Sequence, residues 1–387
     1  MKNIVLLGAT GSIGRSAVRV LRRHRDRFRL LGLSAARSAD ALESTAAEFD
    51  ARFAVLAGLR PDEHQPGATN DDWAGEWRYG PAAVARAAAE PAADIVVNAL
   101  VGFAGLESTI AALEAGHRLA LANKESLVAG GDLVLRAWRS GGGDILPVDS
   151  EHSAIHQCIG GRPRSEVRRL VLTASGGPFR ELPAERFAEV GASDALAHPT
   201  WNMGEKITVD SATLANKALE VIEAHLLFDI EFDDIDVVVH PSSIVHSMVE
   251  FRDGSVIAQL GHPTMELPIL YALTAPERLA DGGETFDPVA AGPLEFEPLR
   301  RDAFPMFELG VEAGRAGGTA PAAYSAANEV AVASFLRDEI GFTDIARAVA
   351  PVVEGWDLGP AESLERIVEA DAEARRRARD HVRRLRK

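Results

Sequence analysis

The 387-residue sequence predicts an α/β protein with an N-terminal Rossmann-like, doubly wound parallel sheet, a central α+β catalytic domain and a small C-terminal helical domain. Three observations lead there. First, β-type apolar runs at 4–7, 30–33, 53–56, 95–98, 119–122 and 145–148 alternate with Ala-rich helical stretches, the rhythm of βαβ units in a parallel sheet. Second, the texture changes between 170 and 273, where strand-like segments at 170–174, 237–240, 244–251 and 255–260 surround one long helix. Third, helical periodicity at 306–316, 322–337, 342–353 and 361–385 continues without strands. The expected boundaries are 1–149 for the parallel-sheet domain, 150–274 for the α+β domain, 275–305 for a linker rich in Pro, Gly and Glu, and 306–387 for the helical domain.

Composition narrows the function. Hydrophobic residues make up 47% and charged residues 25%, and no apolar run approaches the ~20 residues of a membrane span, so no membrane association is expected. A net charge of −16 opposes general binding to nucleic acid, and the Arg-rich stretch 375–387 reads as the solvated face of a terminal helix. The single cysteine, Cys158, permits no internal disulfide and reads as a small core residue. Because Lys2-Asn3 runs straight into the first strand, the fold is expected to begin at Met1 and the protein to be cytoplasmic. Only five lysines occur, at 2, 124, 206, 217 and 387, so basic side chains are nearly always arginine.

Gly8-Ala-Thr10-Gly11-Ser12-Ile13-Gly14 follows the first strand and opens an Ala/Val/Leu helix, a turn whose amides and helix N-terminus suit a pyrophosphate. Gly8 permits the tight turn, Gly11 the approach of phosphate and Gly14 the close packing of helix on sheet; the plainer alternative is a structural Gly-rich turn. At the end of the second strand no acid waits for ribose hydroxyls. Ala36-Arg37-Ser38 stands there instead, and a guanidinium suits the 2′-phosphate of NADPH, unless Arg37 is simply a surface arginine.

Asp149 and Glu151 lie two residues apart after the strand-like run 145–148, so in extended chain both carboxylates project from one face. Like charges so placed repel unless a cation intervenes, and oxygen donors favour Mg²⁺ or Mn²⁺, with Co²⁺ a further option, over zinc. A third acid, Glu220, follows in the segment 209–223, where Ser211 is expected to begin the helix, with Asn216 and Lys217 within two turns of it. That group suits a phosphate at a helix N-terminus beside a metal-binding glutamate. His152 and His156 have the spacing of zinc ligands but lack the order of the metalloprotease motif. Ser175-Gly-Gly-Pro178 is either a plain turn or a hydroxyl contact to phosphate. The loop around Trp201 and Met203 either closes over a ligand or anchors an ordinary connection.

Together these residues resemble the 1-deoxy-D-xylulose 5-phosphate reductoisomerase family. Its motifs are matched in order by 8–14, Asn123-Lys124-Glu125, 147–152, 175–179, 198–204, 206–213, Asn216-Lys217, Glu220 and 240–248. The resemblance implies that Asp149, Glu151 and Glu220 are metal ligands, and that Ser175, Ser211, Asn216 and Lys217 hold the substrate phosphate. It places Lys124, Ser150 and His198 on the sugar, with Lys124 and His198 counted as catalytic beside the three acids. Thr10, Gly11, Ser12, Ile13, Ala36, Arg37, Ser38, Asn123, Glu125 and Gly204 would line the NADPH site, and Trp201 and Met203 would form a lid. His246 lies near the site with no role assigned. Where the family often has Gly-Lys-Asn, this chain has Ala36-Arg37-Ser38, so Arg37 replaces a lysine on phosphate. The implied activity is NADPH- and metal-dependent rearrangement and reduction of a sugar phosphate by a homodimer, with segment 244–251 as one candidate dimer surface. The rivals are another NADP dehydrogenase and a non-catalytic NADPH sensor.

Overall fold

The computed structural model describes residues 1–64, 67, 73–201, 203–280 and 285–386; Asn202 of the tryptophan loop, 281–284 of the expected linker and Lys387 lie outside the described residues. The chain forms two compact units, one from 1–126, 133–153 and 264–283, the other from 127–132, 154–263 and 284–387.

In the first unit, strands β1 (Lys2–Leu7), β2 (Phe28–Ala35), β3 (Phe53–Leu56), β4 (Glu76–Tyr79), β5 (Ile95–Asn98), β6 (Arg118–Leu121) and β7 (Ile145–Pro147) form one sheet, ordered β4-β3-β2-β1-β5-β6-β7. Every pair is parallel. The chain winds outward from β1 to β4, then restarts at β5 on the other side of β1. The switch point therefore lies between β1 and β5, where loops leaving the carboxyl ends open a crevice. Ile4, Val5, Leu6 and Leu7 are fully buried, as the continuous apolar run of a strand covered on both faces requires. Strand β4 was not expected: Glu-Trp-Arg-Tyr has alternation but no apolar run, which suits an edge position.

The helix Glu266–Thr274 belongs to this unit, so the core does not divide at the expected boundary of 274. Its Ile269, Leu270, Ala272 and Leu273 join the core of β1 and β2, and Glu266 pairs with Arg19 at 2.5 Å and Arg23 at 2.7 Å.

The second unit carries β8 (Val167–Ala174), β9 (Ile235–Val239), β10 (Val245–Phe251), β11 (Val256–Leu260) and β12 (Glu297–Pro298), ordered β11-β10-β8-β9-β12. The β8–β9 pair is parallel and the others are antiparallel. Strand β12 falls in the expected linker, and the Arg300 guanidinium donates to the carbonyls of Arg180 (2.9 Å) and Leu182 (2.8 Å), binding that segment to this unit. The C-terminal helices Pro305–Ala316, Ala320–Leu336, Phe342–Glu354 and Leu364–Leu385 lie close to their expected positions. They share one core with the central sheet: Leu170, Leu172, Leu219 and Ile222 pack in the same cluster as Phe307, Tyr324, Phe335 and Val349. No separate core begins at 306. The reason is visible in Gly310, where an added Cβ would lie 2.6 Å from the Cβ of Ala218 on the helix Ala215–Phe228, so the two helices pack backbone to backbone. The Arg-rich helix is amphipathic as expected, burying Ile367, Ala370, Ala374 and Ala378 while Arg376 and Arg377 each pair with Glu373 at 2.7 Å.

The expected long helix is two, Glu205–Thr213 and Ala215–Phe228, broken at Leu214, whose φ of 61° is left-handed. The break is held by Leu214 N–H donating to the Ser211 carbonyl (3.2 Å) and Ala215 N–H to Thr213 Oγ1 (3.3 Å). Leucine is an ordinary helix former, so no residue type marks the joint in the sequence.

The glycine roles can be tested. Gly8 has φ of 81°, and a Cβ at Gly14 would sit 2.1 Å from the Gly8 carbonyl oxygen, whereas one at Gly11 would meet only that oxygen at 3.4 Å. Gly14→Ala is expected to lower stability by about 1–3 kcal/mol, through overpacking, and Gly11→Ala by no more than about 0.5 kcal/mol. Urea unfolding followed by circular dichroism reads both, and equal midpoints would refute the packing role of Gly14.

Candidate active site

The nucleotide candidates other than Gly204 lie at the carboxyl edge of the first sheet. Gly8 N–H donates to Ser34 Oγ at 3.1 Å and Ala9 N–H to the Ser34 carbonyl at 2.8 Å, fastening the glycine turn to the end of β2. Gly11 is the N-cap of the helix Ser12–Arg23, and Thr10, Ser12 and Ile13 sit around it. Ala36, Arg37 and Ser38 are exposed just beyond β2, and Arg37 Nη1 donates to the Gly58 carbonyl at 2.9 Å. Asn123 is different. It is fully buried, its Oδ1 accepts from Ser126 N–H at 2.9 Å, and its amide donates to the carbonyls of Leu100 (2.9 Å) and Gly102 (3.0 Å). Its Oδ1 thereby caps the helix Lys124–Gly141. Glu125 is buried in the first turn of the same helix. Gly204 belongs to the second unit, where it caps the helix Glu205–Thr213.

The first-unit acids follow β7 directly. Asp149 Oδ2 accepts from Lys124 Nζ at 2.6 Å, its Oδ1 accepts from Glu151 N–H at 3.2 Å, and His152 Nδ1 lies 3.1 Å from the same Oδ1. Since a carboxylate only accepts, His152 donates through Nδ1. Burial works to raise the Asp149 pKa, but the Lys124 charge and the His152 hydrogen bond outweigh it and hold the carboxyl well below its usual range. Ser150 Oγ bonds to Glu151. The result is a carboxylate whose ionised form is favoured, next to a second one at the start of a helix, a hard-oxygen donor set that fits Mg²⁺ or Mn²⁺ and not a soft ion. The sequence reading treated His152 as a zinc decoy and missed that it orients Asp149; its i, i+3 spacing from Asp149 on one helical face was the available signal.

In the second unit Glu220 is buried, with Lys217 and Asn216 both donating to its carboxylate, and Lys217 also donating to the Thr173 carbonyl of β8 at 2.5 Å. Ser211 does not begin a helix as expected. It lies in the last turn of Glu205–Thr213, and Asn216 and Lys217 occupy the first turn of the next helix, past the Leu214 break. The anion-attracting N-terminus is thus that of Ala215–Phe228. Ser175 stands close by: a Cβ on Gly177, two residues on, would lie 2.7 Å from the Ser211 carbonyl oxygen, so the Ser175-Gly-Gly turn packs directly on the end of the Ser211 helix.

His198 joins this turn to the tryptophan loop. Its Nδ1 accepts from the N–H groups of Thr200 (3.2 Å) and Trp201 (2.9 Å), while Nε2 lies 3.0 Å from Ser175 Oγ. An acceptor at Nδ1 leaves the proton on Nε2, so the neutral ring donates to Ser175 Oγ, which also accepts from Gly177 N–H at 3.3 Å. The Ser175 proton is then directed away from both. Burial lowers the His198 pKa and reinforces the neutral form. Trp201 and Met203 are half-buried, and the Trp201 ring centroid stands 6.5 Å from that of the buried His246.

Known proteins match this chain over nearly its whole length. Family models for 1-deoxy-D-xylulose 5-phosphate reductoisomerase match residues 4–131, for its C-terminal domain residues 145–228, and for a further DXP reductoisomerase C-terminal domain residues 260–377. A reductoisomerase of that name from Ralstonia nicotianae is 48% identical over 386 residues, spanning 99% of this chain and 98% of its own. One from Pelotomaculum thermopropionicum is 48% identical over 375 residues, covering 97% of each chain. The crystal structure from Zymomonas mobilis in complex with NADPH superimposes with a TM-score of 0.91 at 41% identity, over 98% of this chain and 99% of that one. A DOX-P reductoisomerase in complex with NADPH, fosmidomycin and magnesium gives 0.93 at 39% identity, over 100% of this chain and 99% of that one.

The two ring nitrogens of His198 are separable by substitution. His198→Asn keeps an acceptor for the loop N–H groups but loses Ser175; His198→Gln keeps the reach to Ser175 but not the loop acceptor. The Trp201 contribution to fluorescence, taken as the difference from Trp201→Phe, is expected to stay native in the Asn variant and to shift in the Gln variant. A pKa depressed by burial means that the neutral ring supports the fold above the unfolded value of about 6.5, and that this support is lost as pH falls through the folded pKa. The Trp201 signal should therefore hold at pH 7 and change on acidification. Identical behaviour of both variants would refute the donor and acceptor assignment.

Proposed function

This chain belongs to the 1-deoxy-D-xylulose 5-phosphate reductoisomerase family, and from that premise we propose that Asp149, Glu151 and Glu220 are its metal ligands and that Ser175, Ser211, Asn216 and Lys217 hold its substrate's phosphate. The enzyme uses NADPH and a divalent metal to convert 1-deoxy-D-xylulose 5-phosphate to 2-C-methyl-D-erythritol 4-phosphate in non-mevalonate isoprenoid synthesis. When bound, magnesium supplies Lewis-acid polarisation of the ketose oxygens and NADPH supplies the hydride.

The observation that carries the site reading is the Lys124–Asp149–His152 set, which favours the ionised form of a half-buried carboxylate beside Glu151. Lys124 and His152 fix where that carboxylate points; Lys124 and Ser150 stand beside it to meet sugar hydroxyls. His198, neutral and donating through Nε2, turns the Ser175 hydroxyl outward as a donor to a phosphate oxygen. Binding energy gathered at the phosphate, remote from the reacting carbons, is then available to close the Trp201 and Met203 loop and exclude water. Gly8 to Ile13 would receive the NADPH pyrophosphate, and Arg37 its 2′-phosphate.

A cytoplasmic homodimer completes the proposal. No helix among the described residues is long and apolar enough to cross a membrane, and the one cysteine is buried and forms no disulfide. The expected dimer strand, β10, lies between β8 and β11, so only its face could serve; Val256 and Ile257 on the edge strand β11 are exposed apolar residues, one on each face of the sheet. Sedimentation velocity showing a monomer at micromolar concentration would remove the dimer.

NADPH oxidation in the presence of 1-deoxy-D-xylulose 5-phosphate tests the rest. EDTA should abolish turnover and Mg²⁺ or Mn²⁺ restore it, and Glu220→Gln should lower kcat by at least about 100-fold, since even residues that merely orient metal ligands are worth 10- to 100-fold. In the same assay Arg37→Ala should raise KM for NADPH about tenfold, the worth of one charge-assisted hydrogen bond. Turnover indifferent to EDTA would sink the metal assignment.

A further inference from the structure

Three of the five lysines each reach a carboxylate of low exposure: Lys124 with Asp149, Lys217 with Glu220, and Lys206 with Asp210. The first two pairs belong to the site already described. The third has had no role, although Asp210 is only 1% exposed and is the residue immediately before Ser211. Lys206 Nζ lies 2.8 Å from Asp210 Oδ2, one helical turn back, and the amide of Asn328 donates to Asp210 Oδ1 at 2.7 Å from the C-terminal helix Ala320–Leu336.

We propose that Asp210 is a positioning residue for the phosphate cradle: shared between Lys206 of its own helix and Asn328 of the C-terminal helix, it fixes the helix end that carries Ser211 against the Ser175–Gly177 turn.

The geometry leaves that helix end little freedom. Gly177 adopts a left-handed φ of 68°, and a Cβ there would lie 2.7 Å from the Ser211 carbonyl, so the turn and the helix end already touch through backbone. From Asp210 the constraint runs onward. Thr213 Oγ1 donates to the Asp210 carbonyl (3.3 Å) and accepts from Ala215 N–H (3.3 Å), leading into the helix whose first turn holds Asn216 and Lys217. Asn328 argues against a merely stabilising role. Its donor must face the carboxylate, which leaves its Oδ1 buried without a hydrogen-bond partner among the described residues. An apolar residue would avoid that penalty, so the amide is retained for the contact to Asp210. One turn earlier, burial and the Asp210 charge hold the Tyr324 phenol well above its ordinary pKa, so it stays neutral and donates to the Met306 carbonyl at 2.8 Å. The C-terminal helices, which the sequence offered only as an appendage, thereby hold up one wall of the site.

The proposal rests on the phosphate reading of Ser211, Asn216 and Lys217, so its test uses inorganic phosphate as a competitor as well as the sugar phosphate. Asn328→Ala removes the carboxamide, its donor to Asp210 together with its unpartnered oxygen, and touches none of the proposed contact residues. It is expected to raise both the KM for 1-deoxy-D-xylulose 5-phosphate and the inhibition constant of inorganic phosphate by about tenfold, the worth of a hydrogen bond to a buried charge. KM for NADPH should stay unchanged and kcat should change far less than KM. Asp210→Asn should have a larger effect of the same pattern, and the swap D210N/N328D, which restores an amide–carboxylate pair between the helices, should recover part of it. If Asp210→Asn does not fold, Asn328→Ala still decides. An Asn328→Ala enzyme with native KM for the sugar phosphate, or with both KM values raised alike, would overturn the positioning role. Inorganic phosphate that fails to compete even in the wild type would instead bring down the phosphate reading, and this proposal with it.

Discussion

A carboxylate taken out of water must be matched by a cation or it will protonate or unfold the structure around it, and this chain meets that demand three times with lysine. Lys124 holds Asp149, Lys217 holds Glu220 and Lys206 holds Asp210. Asp149 and Glu220, two of the acids proposed to hold metal, are thereby oriented, and Asn216 and Lys217, proposed to hold phosphate, belong to the Glu220 set. Each unit contributes its own pair or pairs: Lys124–Asp149 hangs on the carboxyl edge of the parallel sheet, and the other two pairs hang on successive helices beside β8.

Position on the fold follows from topology more than from any one side chain. Because β1 and β5 flank the switch point, the glycine turn after β1, the Arg37 segment after β2, Asn123 after β6 and Asp149 after β7 all leave the same edge of one sheet. In the second unit the decisive local event is the left-handed residue Leu214, which ends one helix and starts another within a single residue. It converts what would have been the middle of a long helix into a C-terminus carrying Ser211 and an N-terminus carrying Asn216 and Lys217. A phosphate favours such an N-terminus, and a continuous helix would have offered none there.

Much of this was legible beforehand because the signals were local. Strands β1, β2, β3, β5, β6 and β7 announced themselves as apolar runs, and the C-terminal helices by their period. The acids stood out through spacing and the lysines through rarity. What escaped was set by tertiary context. β4 is too short and polar to register alone; β12 exists only because β9 offers it an edge; Leu214 has no residue-type signature for its left-handed turn. The separate C-terminal domain was expected from helical texture, but texture says nothing about whose core a helix joins, and Gly310 against Ala218 decided that. The side chain of Asn123 also caps its helix, a role that its motif alone does not announce.

The choice of lysine over arginine at the three pairs follows from donor counting. On the surface a guanidinium finds water for whatever donors its acid leaves unused, so arginine is free to dominate there, as in Arg376 and Arg377 on Glu373. Inside, every donor needs an acceptor. A guanidinium brings five N–H groups in a rigid plane, an ammonium three that rotate. Lys217 satisfies Glu220 and one β8 carbonyl from a single small head group, a task for which a planar fork would need acceptors that a packed helix–sheet interface does not supply. The scarcity of lysine in the sequence is thus itself a structural statement: where this chain departs from arginine, with Lys2 and Lys387 at its termini set aside, it does so beside a carboxylate that the fold has removed from water.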